Sequence, residues 1–151
     1  MMQVLIVMQG ASGSGKSTIA NALAQTIGEG FFPWAKLANA PAICSTDQFF
    51  YQVGFPDPFP EKYVFDRSLL SYYHAWNQWL VNHYLEEGRS VIVDNTNIFK
   101  DHAKPYFDMA KKFGIPIQIV KVSSNFENEH GVPKEVVENM KKNLQNLDEL
   151  L

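Results

Sequence analysis

The chain has 151 residues and a formal net charge of −3; 46% of its residues are apolar and 19% are charged. That is ordinary globular composition, and the negative balance argues against a broad, sequence-independent grip on DNA or RNA. No apolar run approaches a membrane span, the N-terminal run reads as a strand rather than a signal peptide, and the single cysteine, Cys44, excludes an intrachain disulfide, so one domain over 1–151 in a reduced, cytoplasmic setting is expected.

Residues 3–9, a continuous apolar run, read as a buried parallel strand. It leads into Gly10-Ala11-Ser12-Gly13-Ser14-Gly15-Lys16-Ser17-Thr18, which matches G-x-x-x-x-G-K-[ST] at Gly10, Gly15, Lys16 and Ser17. A loop of this kind between a strand and a helix turns backbone N–H groups inward around phosphate, and the helix N-terminus favours the anion. Lys16 is expected to reach the β- and γ-phosphates and the Ser17 hydroxyl to ligate Mg²⁺, with Thr18 closing the first turn. The bland alternative is a Gly/Ser turn. The helix over 16–27 shows an apolar face of Ile19, Ala20, Leu23, Ala24 and Ile27. Residues 31–39 form an apolar loop around Phe31, Phe32 and Trp34, either a packed flap or a binding surface.

Residues 41–45 read as a second strand, with Asp47 just beyond it. Gly54, Pro56, Pro58 and Pro60 mark 51–62 as a loop. A long helix is expected from about Arg67 to Glu87, with Leu69, Tyr73, Trp76, Leu80 and Tyr84 facing the core. Residues 90–94 form a third strand ending in Asp94. A helix bearing Tyr106, Phe107, Ala110 and Phe113 follows, with Pro105 expected in its first turn and Gly114 as its cap. Residues 115–122 are a fourth strand and 123–131 a polar loop. The last helix starts near Pro133 and is expected to bury Val136, Met140, Leu144, Leu147 and Leu151. Alternating strands and helices predict an α/β fold, a parallel sheet covered on both faces. Ligands bind such sheets at the carboxyl ends of the strands, where the glycine-rich loop, Asp47 and Asp94 converge.

Several functions would use such a loop. A motor needs larger domains, and a GTPase-like switch needs an Asn-Lys-x-Asp string that the sequence lacks. A kinase needs an acceptor hydroxyl and a group to take its proton. Asp47 is the candidate base, the alternative being an N-cap. Asp94 is the candidate Mg²⁺-associated carboxylate, the alternative being an Asx turn formed with Asn95 to Asn97. His74 reads as structural, exposed or a substrate contact, and His130 as a phosphate or adenine contact.

GASGSGKST (10–18), STDQFF (45–50), VIVDNTN (91–97) and HGVP (130–133) occur together in this order. Together they resemble the polynucleotide-kinase-like group of P-loop kinases, which includes phage polynucleotide 5′-hydroxyl kinase and Nedd4-binding-protein kinase domains. The resemblance implies a P-loop NTPase three-layer sandwich with a four-stranded parallel sheet in the order 2-3-1-4. It implies ATP as donor and Asp47 as the base that activates a 5′-hydroxyl, with a short DNA or RNA end as acceptor. A small-molecule kinase and a nucleotide-binding module with little catalysis are the alternatives, and no membrane or protein partner is implied. The sequence departs from the family at two places. Phe50 stands where the phage enzyme has an acceptor-side arginine, and residues 123–133 lack the lid arginines. Arg67, Lys100, Lys104, His130 and Lys134 are the available replacements. Phe49, Phe50, Tyr51, Tyr63 and Trp76 are either a base-stacking set or plain core.

Overall fold

The four apolar runs of the sequence form one parallel sheet in a computed structural model that describes residues 3–28, 40–52, 62–123 and 131–151. In chain order the strands are β1 (Leu5–Gln9), β2 (Ala42–Cys44), β3 (Tyr51–Gln52), β4 (Lys62–Tyr63), β5 (Val91–Val93) and β6 (Ile117–Lys121). The main sheet runs β2-β5-β1-β6. Counted along the chain its own strands stand in the order 2-3-1-4, as the resemblance implies. The register sets Ile6 beside Ile92 and Val7 beside both Val93 and Ile119.

Side chains alternate across a strand, so this sheet needs cover on both sides. Leu5, Val7, Val91 and Val93 face one core with Val81 and Leu85 of α2 (Leu70–Glu86) and with Tyr106, Phe107 and Ala110 of α3 (Lys100–Phe113). Ile6, Met8 and Ile92 face the other with Ala20 and Ala24 of α1 (Lys16–Gly28), as the apolar face of that helix predicts. Each fully buried Leu, Ile or Val contributes about 1.5–3 kcal/mol. No helix among the described residues is long and apolar enough to cross a membrane.

Four expectations are corrected. A 3₁₀ turn, Arg67–Leu69, precedes α2, and the buried row of α2 is Asn77, Val81 and Leu85, with Leu69 and Trp76 exposed. The polar member hid this row from apolar periodicity. Asn77 is buried because its Nδ2 donates to Tyr106 Oη at 3.0 Å. Leu80 and Tyr84 pack at the margin of the same core. Pro105 lies in the second turn of α3, because the helix starts at Lys100 on residues with little apolar pattern. The loop expected over 51–62 begins and ends in antiparallel pairing, Tyr51 with Tyr63 and Gln52 with Lys62.

The last helix, α4 (Lys134–Lys142), follows Pro133 and buries none of its residues. Leu144 and Leu151 are exposed, and Leu147 is buried from a separate 3₁₀ turn, Leu147–Leu150. The apolar side of α4 faces a cavity instead of the core. The Phe31–Trp34 run and His130 lie outside the described residues.

Candidate active site

The turn after β1 is built so that only glycine fits its start. A Cβ on Gly10 would lie 2.4 Å from the Val122 carbonyl oxygen and 2.8 Å from Ser14 Oγ. Gly13 and Gly15 have φ of 78° and 92°, the left-handed region that glycine adopts without strain. The Ser14 N–H donates to the Ala11 carbonyl at 3.1 Å. Ser14 Oγ is buried without a hydrogen-bond partner among the described residues, a polar group that a bound anion would satisfy.

Lys16 starts α1 and is 9% exposed. Its Nζ donates to the Ala11 carbonyl at 2.9 Å. Burial pushes its pKa down, and the Asp94 and Asp47 carboxylates oppose that shift. Ser17 Oγ donates to Asp94 Oδ2 at 2.7 Å, and Thr18 is exposed in the same turn.

The segment after β5 is laced to this loop. The Asp94 N–H donates to the Cys44 carbonyl at 2.9 Å and the Gly10 N–H to the Thr96 carbonyl at 3.0 Å. Asn95 Oδ1 accepts from the Thr46 N–H at 2.8 Å. Asn97 adopts φ 46° and its Nδ2 donates to the Met8 carbonyl at 2.7 Å. Gln9 Nε2 donates to the carbonyls of Asn97 and Gln145, tying the C-terminal segment to the same edge.

Asp47 is the second residue of the 3₁₀ turn Thr46–Phe50, and Ser45 holds the N-cap position. The capping alternative is thereby removed. Tyr63 Oη donates to Asp47 Oδ1 at 3.3 Å. Burial first, and then the Asp47 carboxylate, push the Tyr63 hydroxyl pKa upward, so the phenol stays a donor. Phe50 is core: it is 2% exposed and packs edge-on against Tyr73 with centroids 4.6 Å apart.

A cavity of about 450 Å³ opens beside Asp47. Ser12 of the glycine-rich loop, Asp47, and Asn95 to Asn97 are among its polar lining residues, and Phe65, Leu70, Val136 and Met140 among its apolar ones. His74 also lines it, with Nδ1 3.1 Å from Thr46 Oγ1. Burial, aided by His102, holds the His74 pKa below its ordinary value. His74 therefore satisfies both a structural and a site-lining reading.

Ser17 and Asp94 present a hydroxyl and a carboxylate oxygen in contact. That fits Mg²⁺, which takes few protein oxygens and completes its shell with phosphate and water. No cluster of three or more His, Cys, Asp or Glu with metal-binding geometry occurs among the described residues. Two of the expected replacement cations are engaged elsewhere, Lys100 by Glu149 and Lys104 by Asp108. Sequence reasoning missed the Tyr63–Asp47 contact and the contribution of α4 to the cavity. For Tyr63 the sequence signal was its place in the aromatic set with Phe49, Phe50, Tyr51 and Trp76.

A parallel sheet covered on both faces, with a glycine-rich turn between its first strand and helix, defines a P-loop NTPase fold. The chain belongs to the AAA domain family, whose model matches residues 5–147. No curated protein matches the chain. Among solved structures, it is similar to Kti12 of Chaetomium thermophilum in complex with ADP-AlF3 (TM-score 0.60, 16% identity, 94% of this chain and 80% of that one). It is also similar to the Mycobacterium tuberculosis APS kinase CysC in complex with AMPPNP and APS (TM-score 0.57, 14% identity, 91% and 68%). A chain of the Pnkp1/Rnl/Hen1 RNA repair complex matches with TM-score 0.61 and 16% identity over 99% of this chain and 46% of that one. At these identities the likeness is one of fold, a kinase-like P-loop nucleotide-binding fold.

Proposed function

We propose that the chain is a kinase that transfers the γ-phosphate of ATP to a hydroxyl, with Mg²⁺ as cofactor. The observation that carries this reading is that Asp47 shares one cavity with the glycine-rich loop, while its charge and that of Asp94 both act on Lys16. Gly10 to Thr18 form the donor cradle, in which the amides surround the phosphates and Lys16 supplies a positive charge. Ser17 and Asp94 are the residues that would hold Mg²⁺, which supplies charge neutralisation at the β- and γ-oxygens. Ionised Asp47 accepts a hydrogen bond from the acceptor hydroxyl and takes its proton as the new O–P bond forms and the bond to the ADP oxygen breaks. Tyr63 holds one oxygen of Asp47, leaving the carboxylate oriented toward the acceptor.

The 5′-hydroxyl end of a DNA or RNA strand is the proposed acceptor. The four-segment resemblance supports it, as does an aromatic side chain, Phe65, in the cavity wall. Incubation with labelled ATP and 5′-hydroxyl oligonucleotides is expected to place label on the 5′ end. Absence of transfer to any hydroxyl compound in a broad panel would overturn the kinase reading. A small-molecule acceptor is the second reading, favoured by the burial of Phe50 at the position of the family's acceptor-side arginine.

A further inference from the structure

Two histidines from different helices meet at the cavity beside Asp47. His74 of α2 and His102 of α3 both line it. Their rings lie 6.2 Å apart and 27° from parallel, and Phe99 packs edge-on against His102 with centroids 5.2 Å apart. Thr46 Oγ1 lies 3.1 Å from His74 Nδ1, so a ligand in the cavity meets that ring by Nε2. A hydroxyl both donates and accepts, so the Thr46 contact holds whether His74 is neutral or protonated. Thr46 is itself fixed, because its N–H donates to Asn95 Oδ1 at 2.8 Å.

The charges around this pair decide what it can hold. Burial and His102, facing from α3, disfavour the protonated form of His74, while Asp47, facing from its 3₁₀ turn, favours it. Tyr63 of β4 lines the same cavity as a neutral donor. α2 carries no Asp, Glu, Lys or Arg from Ser68 to Leu85, and its His83 pairs with Glu87. Beside His102 on α3, Lys100 pairs with Glu149, Lys104 pairs with Asp108, and Asp101 is exposed. His102 also stands in the first turn of α3, where the helix dipole favours an anion. A negative group between the rings would offset both the burial of His74 and its repulsion by a charged His102.

We propose that His74 and His102 form a subsite for a phosphodiester group of the acceptor, and that this anion enters together with a proton. A phosphodiester offers two unesterified oxygens that share one charge, one for each ring. The proposal rests on the kinase reading for the reacting hydroxyl, and binding is measured apart from turnover.

The test is calorimetric binding to the full chain, with the donor site filled by a non-hydrolysable ATP analogue and Mg²⁺. The ligands are a thymidine dinucleotide joined by a phosphodiester and the same dinucleotide with an uncharged methylphosphonate link. The phosphodiester keeps its charge over the range measured, so a pH-dependent preference belongs to the protein. The charged ligand is expected to bind about tenfold more tightly than the neutral one at about pH 5.5, and less than about threefold more tightly at about pH 8, because histidine charge is lost across that span. Heats in two buffers of different ionisation enthalpy, at about pH 6.5, are expected to show about half a proton more taken up with the charged ligand than with the neutral one. His74→Gln and His102→Gln are each expected to hold the preference within about threefold at both pH values; the second lies at an exposed position and leaves the Thr46 contact intact. An equal preference at the two pH values, its persistence in both variants, or no binding of the charged dinucleotide overturns the proposal. A pH-linked preference with no phosphate transfer to any hydroxyl compound would overturn the kinase reading and leave this proposal standing. Transfer to the dinucleotide with a pH-independent preference would do the reverse.

Discussion

Ser17 Oγ donates a 2.7 Å hydrogen bond to Asp94 Oδ2 across a sequence separation of 77 residues. This contact joins the first turn of α1 to the end of β5, so the glycine-rich loop and the acidic turn keep a fixed relation. An acidic residue so close to a helix N-terminus also gains from the helix dipole. Asp94→Asn keeps the shape and a hydrogen-bond acceptor but removes the charge. The Mg²⁺ concentration giving half-maximal transfer is expected to rise about tenfold or more, since Mg²⁺ relies on a carboxylate for affinity. A Mg²⁺ titration of turnover measures it; an unshifted midpoint would remove Asp94 from the metal seat.

Asp47 and Tyr63 form the second coupled pair, and their variants separate the two roles. Asp47→Asn should lower kcat by about 10²–10⁴-fold, the usual contribution of a positioned base, while ATP affinity stays within about twofold if the carboxylate serves the acceptor as proposed. Tyr63→Phe removes one hydrogen bond to a charged group, worth about 1.5–3 kcal/mol, and should lower kcat by about ten- to a hundredfold. Single-turnover kinetics with ATP binding measured separately checks both. Full activity of the Asn variant would demote Asp47 to a structural residue.

Lys16 is buried with its ammonium turned onto its own loop, so a bound triphosphate has to draw that group away from the Ala11 carbonyl. Lys16→Ala deletes the positive charge and should weaken ATP binding and turnover together, each by about 10²-fold. Retention of both in equilibrium binding and steady-state assays would show that the loop does not hold the triphosphate.

Gly10 is a steric requirement rather than a preference. A methyl group there meets a backbone carbonyl, Val122 O, at 2.4 Å, and backbone does not yield as a side-chain tip would. Gly10→Ala should destabilise the fold by about 1–3 kcal/mol, the cost of overpacking a closed site, and should weaken nucleotide binding as well. Urea denaturation gives the first quantity. An unchanged midpoint would mean that β1 and β6 separate more freely than their pairing indicates.

The parts of the fold legible in sequence are those where one local pattern coincides with one physical need. The run from Leu5 to Gln9 is buried on both faces, so it is continuous in the sequence, and Gly10 to Ser17 carry a spacing that the turn itself imposes. Asp47 and Asp94 were placed by the rule that ligands gather at strand ends. What stayed hidden depends on tertiary partners. Asn77 lies in the buried row of α2 only because Tyr106 accepts its amide hydrogen, and no periodicity of apolar residues can register that. The apolar positions of α4 look like core positions, but Val136 and Met140 face a cavity, and a hydrophobic stripe reads the same over either. Tyr63 reaches Asp47 through the pairing of β3 and β4, whose two-residue strands are too short to leave a signal.

Cys44 and Tyr106 set how the fold responds to alkali. Cys44, the last residue of β2, is fully buried, and burial raises its thiol pKa from 9.0 to about 12, with Arg89 opposing. Burial likewise raises the Tyr106 hydroxyl from 10.0 to about 12, against the hydrogen bonds from Asn77 and Asn95. Both groups are neutral when protonated, so the native state keeps protons that the unfolded chain releases near its ordinary values. Their stabilising contribution is therefore complete below about pH 9 and is lost progressively as pH rises toward about 12, with stability falling by about 1.4 kcal/mol per pH unit for each proton involved. Urea midpoints should hold from about pH 8 to about pH 9 and fall from there to about pH 11, and the fall should be shallower in Cys44→Ala by about one proton's slope. Cys44 in the native chain should also resist thiol reagents at neutral pH and react once urea unfolds it, because the thiolate is the reactive form. Identical alkaline slopes for wild type and Cys44→Ala would show that the thiol ionises as freely in the fold as outside it.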